Sequence, residues 1–190
     1  MGYTLITAPA TEPVTTAEAK AHMRVDISDD DTYIGSLITA ARKYAENFQN
    51  RCLITQIWTL SLPAFPHCIE FTKSPVTEIN SITYIDTAGS TQTLSTSVYQ
   101  LDATDGIGVV RLKYGQEWPA TRSAEDYNSV VVNFDVGYAD AASVPMTTKQ
   151  AILMLVAHWY TLRTPVNVGN IVSSIPMSVE ALLYCDAMPQ

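Results

Sequence analysis

The sequence predicts an α+β fold: a small helical core of two N-terminal helices plus a buried C-terminal helix, carrying an inserted antiparallel β-meander or small barrel. Three observations predict it. Residues 34–48 hold one apolar stripe of helical period, residues 53–137 alternate with period two, and Lys149 to Tyr160 (KQAILMLVAHWY) is a helix-length apolar run. A stripe buries one helix face, alternation buries one sheet face, and an unbroken run buries a helix on nearly all sides. Residues 1–52 and 141–190 are therefore expected to form the helical core with a C-terminal docking tail, and residues 53–140 the β subdomain.

The first dozen residues read as an extended arm. Thr15-Thr16-Ala17-Glu18 has the capping-box pattern, a hydroxyl followed three residues later by a carboxylate, and opens a short helix to about Arg24. Ser28-Asp29-Asp30-Asp31 begins a longer helix, its acids suited to capping and to the positive end of the helix dipole. Ile34, Leu37, Ile38, Ala41, Tyr44, Ala45 and Phe48 form its stripe. From Leu53 to Gly137 about seven short strands follow. Thr87-Ala88-Gly89 between Ser81–Asp86 and Ser90–Leu94 signals a hairpin. No helical segment separates the strands to serve as a crossover, so the sheet must be antiparallel. Pro145 with the Thr147 and Thr148 hydroxyls offers a start for the apolar helix, and Pro165 ends it. Glu180 to Tyr184 is a last helical turn or two.

Composition excludes several classes of function. The net charge is −8, and most of the excess lies in residues 52–148, which hold 10 acids against 4 bases. Such a surface does not grip a phosphate backbone, whose affinity comes from Lys and Arg displacing counterions. A dozen apolar residues are too few to cross a bilayer, which takes roughly 20, so no membrane partner is expected. The opening MGYTLITAPATEP lacks the basic and apolar segments of a signal peptide. Three scattered cysteines, Cys52, Cys68 and Cys185, fit reduced thiols. His22, His67 and His158 fall on different elements without metal-ligand spacing, and Asp29 to Asp31 lack the glycine and distal glutamate of a calcium loop. Gly106-Ile107-Gly108 is no phosphate loop, and no nucleophile elbow is present. No metal, cofactor or catalytic residue is expected.

The charge-free stretch Thr164 to Val179 is the best candidate for partner binding. Val166, Val168, Ile171, Val172, Ile175 and Pro176 would supply an apolar docking segment that orders on its partner. The competing reading folds it back on its own core.

Taken in order, Val14-Thr15-Thr16-Ala17-Glu18-Ala19-Lys20, Asp30-Asp31 with the long helix to Cys52, Trp118-Pro119-Ala120-Thr121-Arg122, Val136-Gly137-Tyr138, the run Lys149 to Tyr160 and Val179-Glu180-Ala181-Leu182-Leu183 resemble the head–tail connector (adaptor) proteins of tailed bacteriophages. The resemblance spans nearly the whole chain and implies a non-enzymatic virion protein. Such a protein forms a ring, typically of twelve copies, beneath the portal. It engages the portal through a C-terminal segment and receives a stopper or tail-completion protein below, with duplex DNA passing through unbound. It would be assembled in the bacterial host cytoplasm and end at the head–tail interface of the virion. The end of the chain, Tyr184-Cys185-Asp186, is less basic than the family finish. Within this reading Asp102 and Asp105 are candidate channel-facing acids. The alternative is a β-rich tail or baseplate accessory module that recognises glycan or protein through Tyr114, Trp118 and Tyr138.

Overall fold

The computed structural model of the chain describes residues 2–104, 106–122, 128–162 and 177–188. The chain divides into two compact units, Met1–Pro9 with Thr55–Gly137 and Ala10–Ile54 with Tyr138–Gln190. The fold is α+β, with every strand pairing antiparallel.

The first unit is the sheet. Its strands are β1 (Gly2–Thr7), β2 (Gln56–Leu62), β3 (Ile69–Glu70), β4 (Val76–Ile85), β5 (Thr91–Thr93), β6 (Tyr99–Asp102), β7 (Val109–Leu112) and β8 (Val130–Val136). Five form one sheet in the order β1-β2-β8-β4-β5, and three form another in the order β3-β7-β6. The strand β8 alternates strictly: Val130, Val132, Phe134 and Val136 are buried while the residues between are half-exposed. That alternation fixes its register between β2 and β4, since a one-residue slip would turn all four side chains outward. Phe134 lies 4.5 Å from Phe71 and 6.3 Å from Tyr3, centroid to centroid. The extended arm read from the sequence is thus an edge strand: Gly2 to Thr7 pairs with β2, and the Tyr3 hydroxyl accepts from the Thr72 amide at 2.9 Å.

Two glycines are structural. Gly89 turns the expected hairpin with φ 86°, its amide donating to the Asp86 carbonyl at 2.9 Å. The Asp86 carboxylate also accepts from the Ala88 and Ser90 amides and from Gln92. Gly108 is a close approach, because a Cβ there would lie 2.7 Å from Val76 and 3.2 Å from Phe71.

The second unit is helical: α1 (Thr16–Met23), α2 (Asp31–Gln49), α3 (Met146–Thr161) and α4 (Met177–Tyr184), with one 3-10 turn at Ala141–Ser143. The capping box forms as read. The Thr15 hydroxyl accepts from the Glu18 amide and the Glu18 carboxylate accepts from the Thr15 amide, which also lowers the Glu18 pKa. Arg24 closes α1 in the left-handed conformation. Ile34, Ile38, Ala41 and Ala45 are buried, and Leu37, Tyr44 and Phe48 pack against the same core. Leu155 and Trp159 of α3 belong to that core too, so the early amphipathic helices and the late apolar helix pack together.

Three local expectations change. The helix α3 is capped by Pro145 without a side-chain bond; the Thr147 and Thr148 hydroxyls turn to Asp186 instead. Its burial is one-sided. Ala151, Ile152, Leu155 and Val156 are buried, but Leu153, Met154 and Ala157 are only half-buried. An all-apolar run shows that a helix avoids water, not how many of its neighbours lie in the same chain. Finally, Asp30 makes no side-chain cap for α2. Its carboxylate accepts from the Tyr160 hydroxyl at 2.6 Å, and Asp31 pairs with Lys20 at 2.7 Å.

Candidate assembly surfaces

Val166, Val168, Ile171, Val172, Ile175 and Pro176 lie outside the described residues. Their flanks are described, and both are tied to the helical unit. On one side α3 runs to Thr161, with the Leu162 amide donating to the His158 carbonyl at 2.9 Å. On the other, α4 inserts Val179 and Leu183, neither with any exposed surface.

A polar knot holds α4 down. Gln49, fully buried at the end of α2, donates through Nε2 to the Thr148 hydroxyl at 2.9 Å and to the Leu183 carbonyl at 2.9 Å. The Asp186 carboxylate accepts from Thr148 at 3.1 Å and from Thr147. The Met188 amide donates to the Gln49 carbonyl at 3.0 Å, and the Arg51 Nη1 donates to the Tyr138 hydroxyl at 2.6 Å. A buried amide leaves its partners costly to strand, so the knot makes the position of α4 specific rather than merely greasy. Sequence reading missed Gln49 and Asp186. Hydrophobic period carries no sign of a polar residue that is buried because it is bonded. A second polar group pins the segment before α1: Arg42, nearly buried, donates to Glu12 and to Glu46, each at 2.7 Å.

Asp102, at the end of β6, is exposed. Its carboxylate accepts from the Thr104 hydroxyl at 2.8 Å and the Thr104 amide at 3.1 Å, and these bonds, aided by Arg111, lower its pKa. Asp86 and Asp140 have lowered pKa values for the same kind of reason, with Gln92 and Ser143 as the first donors. All three are thus fixed negative charges on turns. Asp105 lies outside the described residues.

Of the aromatic trio of the alternative reading, Trp118 and Tyr138 are each engaged within their own unit. Trp118 is half-buried and stacked on Phe65, 4.8 Å between centroids and 3° between planes, as a packing plug would be. Tyr114 stands fully exposed in the sheet unit, whereas Tyr138 is bonded to Arg51 in the helical unit. Cys52 is buried, Cys68 half-buried and Cys185 exposed, and none of the three forms a disulfide. No described helix is long and apolar enough to cross a membrane.

The family of phage gp6-like head-tail connector proteins matches residues 14–104, from the residue before the capping box to the end of β6. Among solved structures, the chain resembles a protein in the virion of the native gene transfer agent particle, with 21% identity and a TM-score of 0.82. It also resembles one in the neck of the empty gene transfer agent particle computed with C6 symmetry, at 22% identity and TM-score 0.79. A third, in the neck of the native particle computed with C12 symmetry, has 20% identity and TM-score 0.75. Each likeness covers 100% of this chain and 97% of the other. No curated protein matches.

Proposed function

We propose that this chain is a head–tail connector protein that forms a ring of twelve copies between the portal and the tail and leaves a channel for duplex DNA. The observation that carries the reading is the coincidence of two likenesses. The connector family covers the capping box, α2 and the sheet as far as β6, and the same fold recurs over the whole chain in particle necks. Necks computed with C6 and C12 symmetry support a closed ring of copies. The role is structural, a reading supported by the likeness to connector and neck proteins. It acts within the virion after joining the particle in the host cytoplasm. Its neighbours are the portal on one side and a stopper or tail-completion protein on the other.

The segment Val166 to Pro176 is proposed as the portal contact. The described helices α3 and α4 flank it in the chain, so both of its flanks are tied to the helical unit. Mixing the purified chain with its cognate portal and imaging the product by electron microscopy tests the ring. Twelvefold rings seated on one face of the portal are expected; portals that stay bare under saturating chain would overturn the proposal.

The acidic balance gives the channel a wall that duplex DNA slides past. Repulsion acts only within about 8–10 Å at cellular salt, so only acids lining the lumen contribute. Asp102 is assigned to that wall. Particles carrying Asp102→Lys are expected to release DNA several-fold more slowly at low salt, with the difference shrinking as salt rises. Unchanged release kinetics at low salt would remove Asp102 from the lumen.

A further inference from the structure

The strand β1 is held by little besides its backbone. Of its six residues only Tyr3 is half-buried, edge-on to Phe134 at 6.3 Å with its hydroxyl bonded to the Thr72 amide. Leu5 and Ile6 are apolar and exposed. The pairing with β2 runs Gly2↔Ser61, Tyr3↔Leu60, Thr4↔Thr59 and Leu5↔Trp58, then shifts to Thr7↔Ile57. Neither GYTLIT nor QIWTLSL of β2 contains a charge or a proline, the residues by which sheet edges refuse foreign strands. Backbone pairing of this kind is the same whichever chain supplies the strand.

The link from β1 to the helices has the build of a hinge. Its far end is pinned: the Glu12 carboxylate accepts from Arg42 at 2.7 Å and from the Thr39 hydroxyl at 2.8 Å, and Pro13 and Val14 are buried. Between Thr7 and Glu12, Ala8, Ala10 and Thr11 are exposed and Pro9 is half-buried. The chain bends at Ala10 and Thr11, and the border between the two compact units falls between Pro9 and Ala10. Pro9 holds Ala8 extended, which confines the change of direction to the two residues after it. Opening that bend redirects the arm while leaving both of its ends as they are. A few small loop residues suffice to absorb such a change.

We propose that β1 is an exchanged arm: in the assembled ring, β1 of each copy adds to the β2 edge of the next copy. The acceptor needs no new complementarity, because the fit is the one already made within a chain, with Tyr3 on Phe134 and Thr4 opposite Thr59. Exchange of an identical element is a low-cost route to association. Donor arm and acceptor edge are different parts of each copy, so the exchange runs head to tail and can close on itself. Four extended residues reach about 13–14 Å, so only an immediate neighbour can receive the arm. The exchange rests on the connector reading and specifies what links its copies.

Paired cysteines test it. Directly opposed residues on paired strands have Cβ atoms about 4.5–5.5 Å apart, near enough for a disulfide. The chain carries Thr4→Cys and Thr59→Cys, with Cys68→Ser and Cys185→Ser to silence the other accessible thiols. Dilute purified chain should oxidise to a monomer with an internal disulfide, which shows that β1 and β2 still pair. Necks assembled from the reduced chain and then oxidised should run on a non-reducing gel as a ladder, with loss of the monomer band. Necks made from a mixture of Thr4→Cys chains and Thr59→Cys chains should give dimers and nothing longer. Chain oxidised before assembly, its arm locked at home, should form no rings on the portal until it is reduced. Necks in which the double variant stays monomeric, its pair closed within one chain or still reduced, overturn the exchange, as does ring formation undiminished by the lock. Necks that lack the wild-type chain altogether would instead sink the connector reading.

Discussion

Replacing Phe134 with alanine is expected to destabilise the sheet unit by about 3–5 kcal/mol. Phe134 has no exposed surface, sits on the central strand and meets both Phe71 and Tyr3. Removing the ring leaves a cavity whose walls come from strands already fixed by pairing on both edges of β8, so little collapse is available. Hydrogen exchange at the β8 amides reads the effect directly, and protection there should fall by more than a hundredfold. A loss below about 1 kcal/mol would mean that the site can close around the gap. The interlocked aromatic arrangement would then be wrong.

The second large effect is expected at Gln49. Alanine is the better helix former, so Gln49→Ala should leave α2 itself intact. What it removes is the bridge to Thr148 and to the Leu183 carbonyl. Stranding a buried carbonyl and opening a void together cost about 2–4 kcal/mol. The cost should appear locally, as faster exchange of the amides at the C-terminal end of α4, while α1 and the early turns of α2 keep their protection. Uniform loss across the helical unit would show that α4 is no separate element of stability. Gln49→Glu tests the same knot differently: it keeps the shape but replaces the donating amide with a charged acceptor against the Leu183 carbonyl.

The parts legible in the sequence were the local ones. The capping box, the α2 stripe and the Gly89 hairpin are written within a few residues, and the box and the hairpin are satisfied by atoms a few residues away. β1 was legible only as extended chain, because its partner lies more than fifty residues downstream and nothing in GYTLIT encodes that pairing. The Thr147 and Thr148 hydroxyls illustrate a different failure. Their position before a helix predicts caps, yet Asp186, nearly forty residues on, competes for them more strongly as a charged acceptor. The same applies to Asp30, which Tyr160 draws away from the helix end. Of the candidate sites, the likeness to connector proteins was readable from ordered motifs.

The placement of β8 governs how the protein can be made. Emerging from the ribosome, β2 and β4 have no pairing with each other and wait for a strand encoded some fifty residues after β4. The nascent sheet therefore stays open, with two apolar edges bare, until Val136 has left the exit tunnel. The helical unit waits longer still, because α3 and α4 are translated last. Few intermediate stopping points exist on this route, so premature termination anywhere before α4 should yield aggregate or degraded chain rather than a usable fragment.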